Sequence, residues 1–419
     1  MKSVALMTLL VLVISCRTTS NTSSLQEAAR ASSYIEIDGV AGSSDEQIFA
    51  QFMSQELKDA RIVGLGEIVH GSGGLHVAMG EVGKSLINND GYRFIAIESP
   101  WVGVESLDQY FAACAKGDVI DPTSLQVFPQ FTTAELNQFY KWVCTFNKLH
   151  PTDRVHAYGF DVQQLGIIPS DLQDEPQLLM QVSRIRDFVR LPQEFNIHNC
   201  GQYSVDLTKY NVCKKSLEVL LGESSKAKQE IISIHGKDFY FKLITRVTSL
   251  THWVEYRYQQ SIQNHYLSGT ARDSGMAQLF QLADEYYGSG KTLVIAHLGH
   301  IARNAEYDGN RFNPNYDNMG SVLHVKFKSS FKLIGFSAKQ LECAATLCPE
   351  PPFEVPAEYH EYWSEKILSE SFENNAVLVL ERSTHLVPTK PYFVGGGFGV
   401  LKDNFDLLFY LRESKAAAQ

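Results

Sequence analysis

The chain has 419 residues, of which 44% are hydrophobic and 20% are charged, as in an ordinary globular protein. Its formal charge of −10 argues against a nucleic-acid partner, because phosphates require a basic protein face. The length exceeds that of one compact core, so we expect either one large domain with insertions or two lobes.

The first residues predict export. Lys2 gives a positive start, and residues 4–14 form an apolar run that is too short to span a membrane, which takes about 20 residues. The run ends in Ser15-Cys16, which resembles the lipobox of bacterial lipoproteins and implies a signal peptide over 1–15 with lipidation of Cys16. Residues 16–33 are rich in Ser, Thr and Ala and indicate a flexible tether. The prediction is therefore an anchored lipoprotein facing the periplasm or the cell exterior, with no membrane contact besides the anchor; an uncleaved signal anchor or a plain secretory signal is the alternative.

Six cysteines remain once Cys16 is lipidated, and they fall in local pairs along the chain. An even number in an exported chain favours disulfides. The clustering predicts Cys114–Cys144, Cys200–Cys213 and Cys343–Cys348. The alternative is that these cysteines are reduced and buried.

Short apolar runs alternate with helical patterns along the chain. Runs that are apolar on both faces are typical of parallel strands covered by helices, so we predict an α/β fold with a central, mostly parallel sheet flanked by helices over residues 34–413. Between about 165 and 287 the strand signal disappears, which predicts an inserted helical lobe. A final alternating run over 405–411 is expected to form an edge strand. The other predicted strands are residues 61–66, 94–97, 155–160, 292–296, 332–336 and 376–380.

Ionisable side chains follow five of these predicted strands. Taken singly, each has an ordinary structural explanation, such as a helix cap, a loop salt bridge or a core histidine. Because ligands bind beyond the carboxyl ends of parallel strands, and buried charges are costly, their convergence predicts an active site. The residues are Glu67 and His70, Glu98, Asp161, His297 and His300, and Glu381.

Six segments in order make the chain similar to the erythromycin esterase family over residues 35–412. This resemblance implies a cleft between the α/β domain and the helical lobe. It also implies hydrolysis of a small-molecule ester or lactone, as in macrolide ring opening, by water that a histidine activates, without a metal or any other cofactor. The segments are Gly64-Leu-Gly-Glu-Ile-Val-His-Gly71, Phe94-Ile-Ala-Ile-Glu-Ser99, Tyr158-Gly-Phe-Asp-Val-Gln163, Arg272-Asp-Ser-Gly-Met-Ala277, Ile295-Ala-His-Leu-Gly-His300 and Asn318-Met-Gly320.

The resemblance also implies roles for individual residues. His70 matches the general base and Glu67 the acid that orients it, since a carboxylate fixes the tautomer of a histidine and stabilises its charged form. Glu98 matches a second-strand carboxylate. His297 and His300 match a later pair, of which His297 is expected to assist at the carbonyl or the leaving oxygen. The remaining expected residues, which bind substrate or support the others, are Asp161, Arg272 and Asp273.

Two other functions remain open at this point. Glu67, His70, His297 and His300 carry the ligand types of a zinc or iron site, so a metal-dependent hydrolase is one alternative. The second is a ligand-binding lipoprotein without activity, because the family's acid just past His70 and its later arginine are replaced by Ser72-Gly-Gly74 and an apolar stretch before Lys84. A serine nucleophile is not supported, because the chain has no GxSxG motif.

Overall fold

The computed structural model of the chain describes residues 34–37, 46–118, 125–163, 200, 206–303, 318–344, 346–347, 368, 371–382 and 401–418. The predicted signal peptide, the lipidation site Cys16 and the tether lie outside these ranges. Within them, no helix is both long and apolar enough to cross a membrane.

The described residues form an eight-stranded sheet with the order β1-β7-β8-β6-β2-β5-β3-β4. Six neighbouring strands from β8 to β4 run parallel, while β7 is antiparallel to both of its neighbours, β1 and β8. An α/β fold with a mostly parallel sheet is therefore confirmed. The strands are β1 (Tyr34–Ile37), β2 (Ile62–Glu67), β3 (Phe94–Pro100), β4 (His156–Asp161), β5 (Thr292–His297), β6 (Phe331–Leu341), β7 (Asn375–Val379) and β8 (Leu407–Ser414).

The prediction of an edge strand at the end of the chain was wrong. β8 lies between β6 and β7, and successive residues along it, Phe409 and Tyr410, are both completely buried. The sequence alternation was misleading because β7 turns back beside β8, and the short strand β1, which had no clear sequence signal, covers β7 in turn.

Eleven α-helices surround the sheet or form the lobe in the described part of the chain. The lobe helices have an apolar cluster of their own, which includes Leu217, Ile231 and Val247 and is separate from the main core. Part of the predicted lobe, residues 164–199 and 201–205, lies outside the described residues. The helices are α1 (Glu46–Glu56), α2 (Gly73–Asp90), α3 (Trp101–Lys116), α4 (Ala134–Leu149), α5 (Leu207–Lys226), α6 (Lys228–His235), α7 (Lys237–Ser261), α8 (His265–Tyr286), α9 (Leu298–Ile301), α10 (Met319–Phe327) and α11 (Leu401–Asn404).

Two of the three predicted disulfides are present. Cys114–Cys144 joins α3 to α4, with 5.3 Å between the two Cα atoms. Cys200–Cys213 links Cys200 to α5, with 5.4 Å between the two Cα atoms. Cys343 is also disulfide-bonded, but Cys348 lies outside the described residues, so that pairing stays a prediction.

Candidate active site

The sheet sets Glu67 beside His297. Glu67 ends β2, His297 ends β5, and the two residues are register partners of these parallel strands. Glu67 is completely buried, and its Oε1 lies 2.6 Å from Nδ1 of His70, three residues further along the chain. A carboxylate only accepts, so Nδ1 of His70 carries the proton of this bond. Proton transfer between His70 and a substrate water would therefore go through Nε2.

The second oxygen of Glu67 contacts another histidine. Oε2 lies 2.7 Å from Nε2 of His76, a completely buried residue on α2, and Nδ1 of His76 lies 2.9 Å from Oγ1 of Thr133. Burial raises the pKa of Glu67, but the electrostatic attraction of His76 and the hydrogen bonds from both histidines outweigh that effect and lower the pKa to about 2. Glu67 is therefore ionised at neutral pH.

His70 is the accessible member of this group, with a side chain that is 29% exposed. Burial lowers its pKa, but the hydrogen bond to Glu67, together with the charges of Glu67 and Glu98, raises it above the usual value. Its ring centre lies 4.9 Å from that of His297 and 5.8 Å from that of Phe131. A histidine that is tied to an ionised carboxylate is suited to general-base catalysis.

His297 is held in its neutral form. Its Nδ1 accepts a hydrogen bond from the Gly299 backbone N–H at 3.1 Å, which leaves the ring proton on Nε2, 3.3 Å from the Ile68 carbonyl oxygen. Burial and the nearby charge of His70 lower the pKa of His297 to about 4. His297 is thus a neutral N–H donor next to His70.

Glu98 links this pair to a second group of charges. Its Oε2 accepts the backbone N–H of His297 at 2.7 Å, and its Oε1 accepts from Nη2 of Arg272 at 2.7 Å. Arg272 also donates to both oxygens of Asp161, from Nη2 at 2.7 Å and from Nε at 3.2 Å. Burial raises the pKa of Glu98, but the electrostatic effects of His300 and Arg272 lower it to about 2. Arg272 on α8 therefore pairs with a carboxylate two residues before the end of β3 and with one at the end of β4.

His300 and Asp273 complete this group. Nδ1 of His300 lies 2.9 Å from Oδ1 of Asp273, while Nε2 lies 2.8 Å from Nη1 of Arg272. Because a guanidinium only donates, this geometry fits the neutral form of His300 with its proton on Nδ1. The charge of Asp273 nonetheless raises the pKa of His300 against the effects of burial and of Arg272. Asp273 also accepts the Met319 backbone N–H at 3.1 Å, which fixes the start of α10.

The glycines after His70 provide room for the end of the chain. Gly71 has a φ of +75°, and its carbonyl oxygen accepts the backbone N–H of Ala417 at 2.9 Å. A Cβ at Gly74 would lie 2.5 Å from Oγ and 2.9 Å from Cα of Ser414. The Oγ of Ser414 in turn accepts the Leu75 N–H at 3.1 Å, near the start of α2. The close approach of the C-terminal segment explains why small residues follow His70 in this chain.

The structure brings eight of the predicted side chains together and places one elsewhere. Glu381 was expected at the same edge as the others, which was wrong, because β7 is antiparallel to β8 and ends beside the start of β8 at Leu407. Sequence analysis missed His76 and Thr133. The signal for His76 was its position six residues after His70, close to the start of a helix that follows a strand ending in a carboxylate.

The erythromycin esterase family profile matches residues 87–414 of the chain. None of the curated protein sequences compared with the chain matches it significantly.

Three solved structures are similar to this chain over almost its whole length. A Bacillus cereus protein gives a TM-score of 0.69 at 15% identity, covering 95% of this chain and 99% of that one. A succinoglycan biosynthesis protein has a TM-score of 0.66 at 16% identity, and the match covers 95% of this chain and 100% of that one. A histidine-to-asparagine variant of the erythromycin esterase EreC, in its open conformation, has a TM-score of 0.68 at 13% identity. That match covers 91% of this chain and 98% of that one. At these identities the similarity concerns the fold.

Proposed function

Because the chain belongs to the erythromycin esterase family, we propose that it is a hydrolase that cleaves a carboxylic ester or a lactone with water activated by His70. The observation that carries this proposal is the 2.6 Å hydrogen bond between His70 and the buried, ionised Glu67. Such a pair fixes the tautomer of the base and stabilises the imidazolium that forms when the base takes a proton.

The reaction follows from that protonation state. Nε2 of His70 takes a proton from water while the water oxygen attacks the acyl carbon, and the carbonyl oxygen gains the negative charge. When the tetrahedral intermediate collapses, the C–O bond to the leaving oxygen breaks. The alkoxide that leaves takes up the proton that Nε2 of His70 received from water. An ester gives a carboxylic acid and an alcohol, and a lactone gives one ring-opened hydroxy acid.

His297 is suited to the carbonyl side of this reaction. It is neutral, its N–H proton is on Nε2, and its bond to the Ile68 carbonyl is long at 3.3 Å. A substrate carbonyl beside His70 would compete for that proton, which would stabilise the developing oxyanion. Glu98 holds the His297 backbone, while Arg272, Asp161, His300 and Asp273 keep the rest of the site in place.

The hydrogen bonds of the two later histidines support a mechanism without metal. Both ring nitrogens of His297 contact backbone groups, and Nε2 of His300 faces the Arg272 guanidinium, which would repel a cation. In the described part of the chain, no three His, Cys, Asp or Glu side chains are arranged to hold a metal ion. We therefore propose that EDTA does not reduce turnover.

The function is tested by incubating the purified mature domain with a panel of esters and lactones, with and without EDTA. The panel includes a macrolide, because one structural relative is an erythromycin esterase. Turnover that is unaffected by EDTA supports the proposal. Turnover abolished by EDTA and restored by Zn²⁺ would instead support a metal-dependent hydrolase, and tight binding without turnover would support a binding lipoprotein.

We also propose that the protein is exported and anchored through a lipid on Cys16. Two disulfides support an oxidising compartment, since they are rare in reducing ones. A Cys16→Ala variant should leave the membrane fraction or remain unprocessed. Normal cleavage together with unchanged membrane retention would contradict the anchor.

A further inference from the structure

The proposed reaction uses only one oxygen of Glu67. Oε1 faces His70, and Oε2 faces Nε2 of His76 at 2.7 Å. His76 is completely buried, so it acts on a substrate only through Glu67. The question is what this second histidine does for the first.

The direction of the hydrogen bonds follows from the donor and acceptor types. The Glu67 carboxylate accepts only, so Nε2 of His76 carries a proton. Thr133 is the N-cap of α4, and its Oγ1 accepts the Leu136 backbone N–H, with a distance of 3.5 Å. The Thr133 hydroxyl proton is then available to Nδ1 of His76 at 2.9 Å. With His76 in its neutral form, each bond in this chain donates toward Glu67.

The two side chains that support Glu67 come from different helices. His76 lies on α2 and Thr133 caps the start of α4. Both are buried, with exposed fractions of 0% and 1%. Their positions are set by the packing of the two helices. They are therefore suited to fix the orientation of a carboxylate.

We propose that His76, fixed by Thr133, is a positioning residue that keeps Glu67 ionised and its Oε1 directed at Nδ1 of His70. A donor on Oε2 withdraws negative charge from the carboxylate. The N–H of His76 stabilises the ionised Glu67 most strongly when His70 is neutral, because Glu67 then lacks a cationic partner. Removing His76 therefore favours the protonated form of His70 and raises the pKa of His70.

Other titratable groups also act on this pair. Glu98, Arg272, His297 and Tyr140 affect either His70 or Glu67, and the substitutions below leave all four in place. A shift in the titration of His70 is then due to the His76–Thr133 pair.

The first experiment is an NMR titration of the His70 imidazole, assigned with a His70→Asn variant. His76→Leu should raise the pKa of His70 by about half a unit or more, while His76→Gln, which keeps an N–H donor, should raise it less. Thr133→Val should shift it in the same direction, whereas Thr133→Ser and the buried control Met79→Leu should not. If His76→Leu does not fold, the two Thr133 variants decide. An unchanged pKa of His70 in the folded His76→Leu and Thr133→Val variants would overturn the proposal.

The kinetic consequence rests on the proposed function, and a second experiment tests it. In His76→Leu, kcat should fall and the acidic limb of the pH–rate profile should move to higher pH, with KM unchanged and recovery in His76→Gln. A merely structural histidine would lower the stability without moving that limb. Because the NMR titration needs no substrate, a failure of the hydrolase assignment is distinguishable from a failure of the His76 proposal.

Discussion

Glu67 and His297 are register partners at the ends of adjacent parallel strands β2 and β5. The separation of the two halves of the site is therefore set by the sheet. Nδ1 of His70 donates a 2.6 Å hydrogen bond to Glu67, and the ring centre of His70 lies 4.9 Å from that of His297. A site supported by regular strands is held more precisely than one built on loops alone.

The pH dependence of turnover should show an acidic limb that reports the protonation of His70. His70 acts in its neutral form, and its pKa is raised by Glu67, so kcat/KM should rise with pH through a value above 6.5. The pKa of His297 is about 4, so His297 is already neutral at the pH where His70 loses its proton and adds no second limb there. A pH–rate profile on any substrate checks this expectation. Activity that increases as the pH falls from 8 to 6 would contradict it.

Arg272→Met should destabilise the fold strongly. The Arg272 side chain is 16% exposed and neutralises two buried carboxylates, Glu98 and Asp161. Removing one partner of a buried ion pair costs about 3–5 kcal/mol of the free energy of unfolding, because the remaining charge is left without compensation. Urea unfolding measures this loss, with Lys226→Met as the control in an exposed pair with Glu223, where little change is expected. Equal midpoints for the two variants would show that Arg272 adds no stability.

Gly74→Ala should also destabilise the fold. The added Cβ would lie 2.9 Å from Cα of Ser414, so the backbone of the C-terminal segment has to move, at a cost of about 1–3 kcal/mol. Gly222 on α5 is the matched control, because a Cβ there meets nothing within 4 Å, and Ala should stabilise the helix by about 0.5–1 kcal/mol. Thermal unfolding should thus move in opposite directions for the two variants. A higher melting temperature in Gly74→Ala would contradict the close approach.

Loss of Cys114–Cys144 should cost more stability than loss of Cys200–Cys213. The two bonds join residues 30 and 13 positions apart, and the entropy that a disulfide removes from the unfolded chain grows with the length of the closed loop. Each double Cys→Ala variant should lose about 2–4 kcal/mol, with the larger loss at Cys114–Cys144. Chemical denaturation of both variants measures the difference. A larger loss of stability at Cys200–Cys213 would show that loop length does not determine how much each disulfide stabilises the fold.

Much of the site followed from the sequence because of where parallel strands end. Glu67, Asp161 and His297 each end a strand of the same sheet, and Glu98 lies two residues before the end of another, so the topology alone brings them together. The positions of β7 and β8 did not follow, because an antiparallel return leaves the same apolar pattern as a parallel strand. Glu381 was misplaced for that reason.

The support beneath Glu67 could not be predicted from local patterns. Thr133 lies 57 residues after His76, and only the packing of α2 on α4 brings them within 2.9 Å. In the sequence, the small residues after His70 indicated only that the acid of the family at this place is missing. In the structure, Gly74 is required by the approach of Ser414, which lies 340 residues further along the chain.

The most direct test is the turnover of His70→Ala on a substrate found in the ester panel. General-base catalysis contributes about 10²–10⁴-fold, so kcat should fall by at least that lower factor while the circular dichroism spectrum is unchanged. Glu67→Gln should lose less, because it removes the orientation of the base and not the base. His324→Ala, at an exposed histidine on α10, should retain full activity. Retained turnover in a folded His70→Ala variant would contradict the assignment of His70 as the base.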